Sequence, residues 1–534
     1  MKFVFVVFGD FRAYKLSSWV NIGYLSSSLK KVEGLSVEVR NYNLDDLEKA
    51  LSDVQKCSPE FIGITLLQEN YCVSLEFVQK IKVQLSRSWT ILGNVEAFFN
   101  YEYLLNQYRG INFILRGEGE LALPELVYNL MHGNSIEECK NICYLKDGNI
   151  ITTECYDLVC DLDELPFPDR SFVNSDNTQF CIMGSRGCYG NCTYCKANSF
   201  IGIQAGDRVR ERSVGNIVDE IEILIEKYNC QYVEFTDSTF SNSLKHPEKR
   251  LLEMYNEFKR RNLFILFHFN IRAEQVNEEF AQALSLLSEV GLNSVMFGLE
   301  SGNKEDLKLY GKLATVENNR RAVALLEKYA IRVCCGFINF NPYTTKDRLA
   351  RNLDFLESIK YNVTTNMIST RLALYTETPL SKLVLRDGLY DGNVVLPLAD
   401  GFNYRFQDSS IGEIYSMLNV YLRKLVVWGR DYELLYNLHK QYTCFCSKDN
   451  NYDYIVANKN ILFALSKSIS DVCTRILRIM ISDGYEGNSE DFDGIMREIN
   501  TFNETIKPLL DVVVSMQYIM TRGLIKENKL ILYK

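Results

Sequence analysis

The chain has 534 residues, a formal charge of −9, and a composition that is 47% apolar and 24% charged. A single hydrophobic core stops growing near about 250–300 residues, so one domain is excluded. The acidic balance excludes a nonspecific nucleic-acid coat, which needs a basic face, and no run approaches the roughly 18 apolar residues of a membrane span.

The apolar start, Lys2–Phe8, is too short for a signal peptide and runs into Asp10 instead of a small-residue cleavage site. The 16 cysteines therefore read as reduced thiols of a cytoplasmic protein.

Residues 1–150 form the first predicted domain. Strands are expected at Lys2–Phe8, Ser36–Tyr42, Phe61–Leu66, Trp89–Gly93 and Ile111–Leu115, with amphipathic helices over Ser17–Lys31, Asp45–Gln55 and Val73–Leu85. This α/β alternation predicts a doubly wound parallel sheet with helices on both faces. Ligands of such sheets sit at the carboxyl ends of the strands. Arg116-Gly117-Glu118-Gly119-Glu120 follows the fifth strand and opens a helix, whose dipole its acids complement.

A linker over 151–175 is marked by Asp161 to Asp169, where Pro166 and Pro168 bias their predecessors to extended backbone. Residues 176–404 resume the alternation. Strands are expected at Phe180–Gly184, Tyr232–Phe235, Phe264–Ile271, Ser294–Leu299, Val333–Phe340 and Thr365–Tyr375. Helices are expected at Val214–Tyr228, Pro247–Arg260, Asn277–Glu289, Thr315–Tyr329 and Thr345–Lys360, with Ser213 capping the first. Six such units predict a partial (β/α)6 barrel, short of the eight that close one, with a lateral opening suited to a large substrate.

The first barrel strand feeds Ser185-Arg186-Gly187-Cys188-Tyr189-Gly190-Asn191-Cys192-Thr193-Tyr194-Cys195-Lys196. Three thiolates within eight residues can hold three irons of a cubane and leave the fourth without a protein ligand. An open iron is a place where a small molecule binds and is reduced. Zinc, the alternative, takes four ligands, usually as two separated pairs. No partner pair lies nearby, since Cys181 is on the incoming strand and the next cysteine downstream is Cys230.

Beyond about residue 405 the strand signal fades. Ile414, Met417, Leu418, Tyr421, Leu422, Leu425 and Val426 recur at helical spacing, as do Ile461, Leu462, Leu465, Ile469, Val472 and Cys473. Residues 405–534 are thus an expected α-helical domain. Its Cys444-Phe445-Cys446 has too few thiols for a cluster and reads as packing cysteine.

Over roughly residues 1–400 the chain resembles the radical S-adenosylmethionine enzymes that carry an N-terminal cobalamin-binding domain. The resemblance implies that Cys188, Cys192 and Cys195 bind a [4Fe–4S] cluster whose open iron takes the amino and carboxylate groups of S-adenosylmethionine. Electron transfer from the cluster then yields a 5′-deoxyadenosyl radical, the protein supplying position. It further implies S-adenosylmethionine contacts at three strand ends: Asp237 in Glu234–Phe240, Arg272 in Asn270–Ala273, and Glu300 in Phe297-Gly298-Leu299-Glu300-Ser301-Gly302. The plainer reading of each is polar punctuation of a strand end.

Several positions depart from the family. No histidine precedes His132, so the Asp-x-His-x-x-Gly loop that ligates cobalt has no counterpart. The usual Gly-Gly pair after the fourth strand is Gly93-Asn94, which remain the candidate cobalamin contacts. A Gly-Phe-Pro turn has become Asn339-Phe340-Asn341-Pro342, and a Pro-Gly-Thr-Pro has become Thr376-Glu377-Thr378-Pro379.

The resulting expectation is cobalamin-dependent C-methylation of a peptide or small natural product, with an electron donor such as flavodoxin or ferredoxin and no nucleic-acid or membrane partner. The alternative is a radical epimerase or rearrangement enzyme in which Cys334 or Cys335 returns hydrogen, since one of two adjacent strand side chains must face inward. A noncatalytic iron–sulfur redox sensor is the rival from another class, and it has no use for Asp237, Arg272 and Glu300. Methylthio transfer to RNA would need a second cysteine trio in the N-terminal half, and there is none.

Overall fold

Phenylalanine and valine fill Lys2–Phe8, and such residues pack well on a pleated sheet; the run is β1 of the computed structural model. The structure describes residues 1–9, 19–173, 178–197, 204–375, 377–390, 404–428 and 452–526. They form two units, one of Met1–Asn242 with Leu374–Ser381, the other built mainly on Ser243–Ala373 and the C-terminal helices.

In the first unit β1 is joined by β2 (Ser36–Tyr42), β3 (Phe61–Thr65), β4 (Trp89–Gly93), β5 (Phe113–Leu115), β6 (Ile142–Lys146) and β7 (Asn149–Thr152), in the order β2-β1-β3-β4-β5-β6-β7. Alternation along β1 explains the double winding. Val4, Val6 and Phe8 pack under α2 (Leu47–Cys57) and α3 (Tyr71–Gln84), while Phe3, Phe5 and Val7 pack under α1 (Val20–Leu29) and α6 (Ala122–His132). A strand covered on both faces is apolar throughout, as β1 is.

The expected all-parallel sheet needs one correction. β1 to β5 run parallel, but β6 and β7 add an antiparallel hairpin. Its two-residue turn is Asp147-Gly148, with φ of 52° and 80°, the left-handed pair that a tight hairpin turn requires.

The proline-marked segment is packed against the first domain. Asp169 accepts from Ser26 and pairs with Lys30 at 2.7 Å, and Leu162 and Leu165 are buried with Val20 and Tyr24. After it, β8 (Gln179–Ile182) and β11 (Tyr232–Phe235) pair in parallel, flanked by a two-residue antiparallel ladder of β9 (Ser185–Arg186) and β10 (Arg210–Glu211).

In the second unit β12 (Leu266–Ile271), β13 (Leu292–Glu300) and β14 (Val333–Phe337) are parallel neighbours. The expected sixth strand, Thr365–Tyr375, is instead a helical turn over Thr365–Ile368 followed by a single parallel bridge from Arg371 to Phe340. The Thr364 hydroxyl caps that turn by accepting from Met367 N, so a segment rich in β-formers starts as helix. The C-terminal helices Ser409–Leu422, Tyr452–Ile481 and Ser489–Lys526 follow. Arg478 ties the second of them to Asp354 and Glu357. Cys444 and Cys446 lie outside the described residues. Among the described residues no helix is long and apolar enough to cross a membrane.

Candidate cofactor site

The cysteine loop is built on glycine. Gly187 has φ +84°, and a Cβ there would lie 1.7 Å from the Arg208 carbonyl oxygen, so no other residue fits beside Cys188. Cys188 is buried, and Cys192 and Cys195 are half-buried. Gly190 donates its N–H to Cys188 Sγ at 3.3 Å, the kind of hydrogen bond that stabilises charge on a cluster-ligating sulfur. The Leu380 N–H holds the far side of the loop through Thr193 O at 2.9 Å. Among the described residues no three His, Cys, Asp or Glu side chains converge on a single metal ion. A cubane asks for something different, one thiolate per iron, and three thiols on a short loop fit that demand.

The acids of Arg116–Glu120 do more than complement a helix dipole. Glu118 pairs with Arg186 at 2.9 Å and Arg210 at 2.8 Å, and Glu120 pairs with Arg186. Burial by itself would raise the Glu118 carboxyl, yet Arg210 and Arg186 hold it below the usual carboxylate range. These acids from the sheet domain therefore brace the arginine two residues before Cys188. A second buried pair of arginines, Arg170 and Arg212, shares Glu220 and donates to the carbonyls of Cys181 and Met183, fixing the strand that enters the loop. The sequence signal for the first brace was a pair of acids at a turn, but their basic partners lie 66 and 92 residues away.

At the end of β11, Asp237 is 1% exposed and its Oδ2 accepts from Gly184 N at 2.8 Å. In the second unit Arg272 caps the end of β12 and pairs with Glu274. Glu300 ends β13 with φ +61°, a left-handed backbone that costs a non-glycine residue about 1–3 kcal/mol and marks functional sites. Its carboxylate pairs with Lys312 at 3.4 Å. That carboxylate stands over Gly298 and Gly336, where a Cβ would come within 1.9 and 3.6 Å of its oxygens.

Strand pairing then sorts the two cysteines of β14. Cys334 is in register with Met296, two residues before Gly298, and so shares the carboxylate face. Cys335 points the other way, and its N–H donates to Tyr361 Oη at 3.1 Å. Burial pushes both thiols up. Asn339 and Asn341, two of the departures from the family, are fully buried in a polar network. Asn339 donates to Met367 O and Ile368 O, and Asn341 to Asp306 and Tyr310. They anchor the backbone after β14. Thr376 lies outside the described residues.

In the first domain the strand ends are organised by asparagines. Asn70, fully buried, donates to Phe8 O and Thr65 O and accepts from Leu67 N. Asn94 has φ 78° and ψ −179°, a backbone that glycine normally occupies. Its side chain accepts from Val95 N and donates to Thr65 Oγ1. Beside it a small cleft opens between sheet and α1, lined by Phe5, Leu25, Gly63, Gly93, Asn94 and Leu115. Gly63 is bare of necessity, since a Cβ would come within 2.6 Å of Phe3. Its walls are mostly apolar, and Thr65 and Asn94 bring polar groups to it at the carboxyl ends of β3 and β4, where ligands of such sheets bind. Residues 10–18, which follow the end of β1, lie outside the described residues.

Residues 182–356 match the Radical SAM superfamily and residues 13–127 match the B12 binding domain. An uncharacterized methyltransferase of Pyrococcus horikoshii is 26% identical over 67% of this chain and 78% of its own length. The anaerobic magnesium-protoporphyrin IX monomethyl ester cyclase of Rubrivivax gelatinosus is 25% identical over 68% of this chain and 65% of its own. Among solved structures, the cobalamin-dependent S-adenosylmethionine radical enzyme OxsB, with aqua-cobalamin and S-adenosylmethionine bound, has the same fold at a TM-score of 0.75 and 18% identity, over 96% of this chain and 80% of that one. The radical S-adenosylmethionine methyltransferase TsrM from Kitasatospora setae follows at 0.57 and 18%, over 72% and 75%. The chain is a radical S-adenosylmethionine superfamily enzyme with an N-terminal B12-binding domain, and its cofactors are a [4Fe–4S] cluster, S-adenosylmethionine and cobalamin.

Proposed function

We propose that the chain methylates an unactivated carbon of a peptide or natural-product substrate. One observation carries the reading: within a single unit, the strand ends of the B12-binding domain are ion-paired to the cysteine loop, through Glu118 to Arg186 and Glu96 to Lys196. Methyl transfer from cobalamin to a substrate radical needs both cofactors to serve one substrate. Methyltransferase names also recur among the relatives, including the cytidylyl-2-hydroxyethylphosphonate methyltransferase of Streptomyces wedmorensis and the hopanoid C-3 methylase of Methylococcus capsulatus.

In this reading Cys188, Cys192 and Cys195 hold the cluster, Asp237, Arg272 and Glu300 meet S-adenosylmethionine, and Gly93 and Asn94 meet cobalamin. When bound, the cluster supplies the electron that cleaves S-adenosylmethionine and cobalamin supplies the methyl carrier. The protein's part is position. Arg186 and Asp237 fix the loop, Glu300 offers an anionic acceptor to the cofactor's amino group, and the strand ends at Gly93 and Asn94 meet cobalamin. An electron donor of the flavodoxin or ferredoxin type completes the cycle. The domain limits that go with this reading are 1–150, 176–404 and 405–534, with 151–175 between the first two.

The test is anaerobic reconstitution with methyl-deuterated S-adenosylmethionine and a cell extract of small peptides and metabolites. Equal yields of 5′-deoxyadenosine and S-adenosylhomocysteine, with a deuterated methyl in one product, are expected. 5′-Deoxyadenosine alone would overturn methylation. It would favour the hydrogen-transfer reading, in which Cys334 is the donor because it shares the Glu300 face.

A further inference from the structure

Lys196 follows Cys195 directly, and its ammonium is enclosed on three sides. It pairs with Glu96 Oε1, and it lies over the rings of Phe99 and Tyr375 at 5.2 and 5.0 Å. The pair is desolvated, with side-chain exposures of 12% for Lys196 and 4% for Glu96. Glu96 is itself fixed: Asn100 donates to its Oε2 at 3.3 Å, and its N–H donates to Leu66 O at the end of β3. It sits two residues beyond Asn94, on the short helix Val95–Phe99. The first residue past the third cysteine is thus locked to the strand end that lines the cobalamin cleft.

We propose that Lys196 and Glu96 are a positioning pair that keeps the charge beside the cluster neutral and thereby keeps the cluster strongly reducing. Adding an electron to a cluster adds negative charge, so a nearby cation favours the reduced form and a nearby anion opposes it. Net charge and burial are among the factors that set cluster potentials, and solvent screens a buried charge poorly. Glu96 cancels the charge of Lys196, the residue directly after Cys195. Truncating either partner strands a buried charge of known sign.

The inference rests on Cys188, Cys192 and Cys195 as cluster ligands, and iron and sulfide content of the wild-type protein tests that assignment separately. The experiment is an EPR-monitored redox titration of reconstituted protein without substrate. At a fixed solution potential, Glu96→Gln raises the ratio of reduced to oxidised cluster at least tenfold, about 59 mV for one electron. Lys196→Met lowers it, and the double variant Glu96→Gln/Lys196→Met returns toward wild type. Lys196→Arg keeps the wild-type ratio. A purely structural contact would move both single variants the same way and the double variant further, and that result overturns the proposal. Hydrogen exchange on the cluster-free protein gives a second reading. Glu96→Gln speeds exchange of the 192–197 amides at least tenfold, and unchanged exchange together with an unchanged potential also overturns it.

Discussion

The backbone N–H of Gly184 donates to Asp237 Oδ2 at 2.8 Å, tying the turn before the cysteine loop to the end of the neighbouring strand. Asp237 therefore acts on the loop's geometry, and in the proposed reading it also meets S-adenosylmethionine. The two roles separate by substitution. Asp237→Asn keeps an acceptor for Gly184 and retains the cluster, whereas Asp237→Ala leaves a buried N–H unsatisfied, at about 1–3 kcal/mol, and lowers iron occupancy. Equal iron content in both variants, combined with lost S-adenosylmethionine binding, would make the loop contact incidental.

Replacing Cys188, Cys192 and Cys195 together by Ala removes the cluster and all S-adenosylmethionine cleavage. Iron content and 5′-deoxyadenosine formation with dithionite are the measurements. The buried arginine braces around Arg186 and Arg212 do not involve the thiols, so the triple variant folds. A full cluster in that variant would sink the ligand assignment.

Glu300→Gln weakens S-adenosylmethionine binding while leaving the cluster intact. Losing a charge-assisted hydrogen bond costs about 1.5–3 kcal/mol, roughly ten- to hundredfold in affinity. The substitution also strands Lys312, whose side chain is 5% exposed, so Lys312→Met is the control. If Glu300 acts only through Lys312, both variants weaken binding equally. If Glu300 meets the cofactor, Glu300→Gln is the weaker binder of the two. Titration of the anaerobic holoenzyme reads the difference.

Acid should loosen the brace between Glu118 and its arginines. The Glu118 carboxyl titrates below its ordinary value of 4.5 in the folded chain. A group with a depressed folded pKa contributes stability that is fully present above its unfolded pKa and is lost as pH falls through the folded one. The gap in urea midpoint between wild type and Glu118→Gln is therefore constant above about pH 5 and shrinks on further acidification. A gap that widens toward low pH would contradict the sign.

The sequence made β1, β2, β4 and β11 visible because each is an unbroken run of β-formers closed by a turn residue. The three cysteines and the strand-end acids were visible because their meaning lies in local spacing. What escaped was non-local or decided by one hydroxyl. Thr364 turns an apparent strand into helix by capping it, and Asp147-Gly148 makes a hairpin that the parallel pattern of the preceding strands hides. Glu96 and Lys196 are 100 residues apart, so no window of sequence links them. The asparagines of Asn339-Phe340-Asn341-Pro342 read as a departure from the family, yet they are fully buried and bond to backbone and to Asp306.

The B12-binding domain offers cobalt no imidazole of its own. No histidine precedes His132. His132 ends α6, which begins after the carboxyl end of β5 and runs 11 residues away from it, a length of about 16 Å. Its ring already contacts Tyr128 O at 2.8 Å. In the proposed reading the cofactor is then held by shape and amide contacts, at the cleft beside Gly93 and Asn94 and by strand ends that Asn70 and Asn94 knit together. Paramagnetic resonance of bound cob(II)alamin is accordingly expected to show no splitting from an axial protein nitrogen. Asn94→Gly relieves a left-handed residue but frees Thr65 Oγ1 and Val95 N, and it should weaken cobalamin retention after desalting without changing that spectrum. A nitrogen triplet in a His132→Ala variant that turns into a doublet when the protein alone is labelled with nitrogen-15 would mean that a ligand from beyond this domain reaches the metal, and the account of a cofactor held by its periphery would fall.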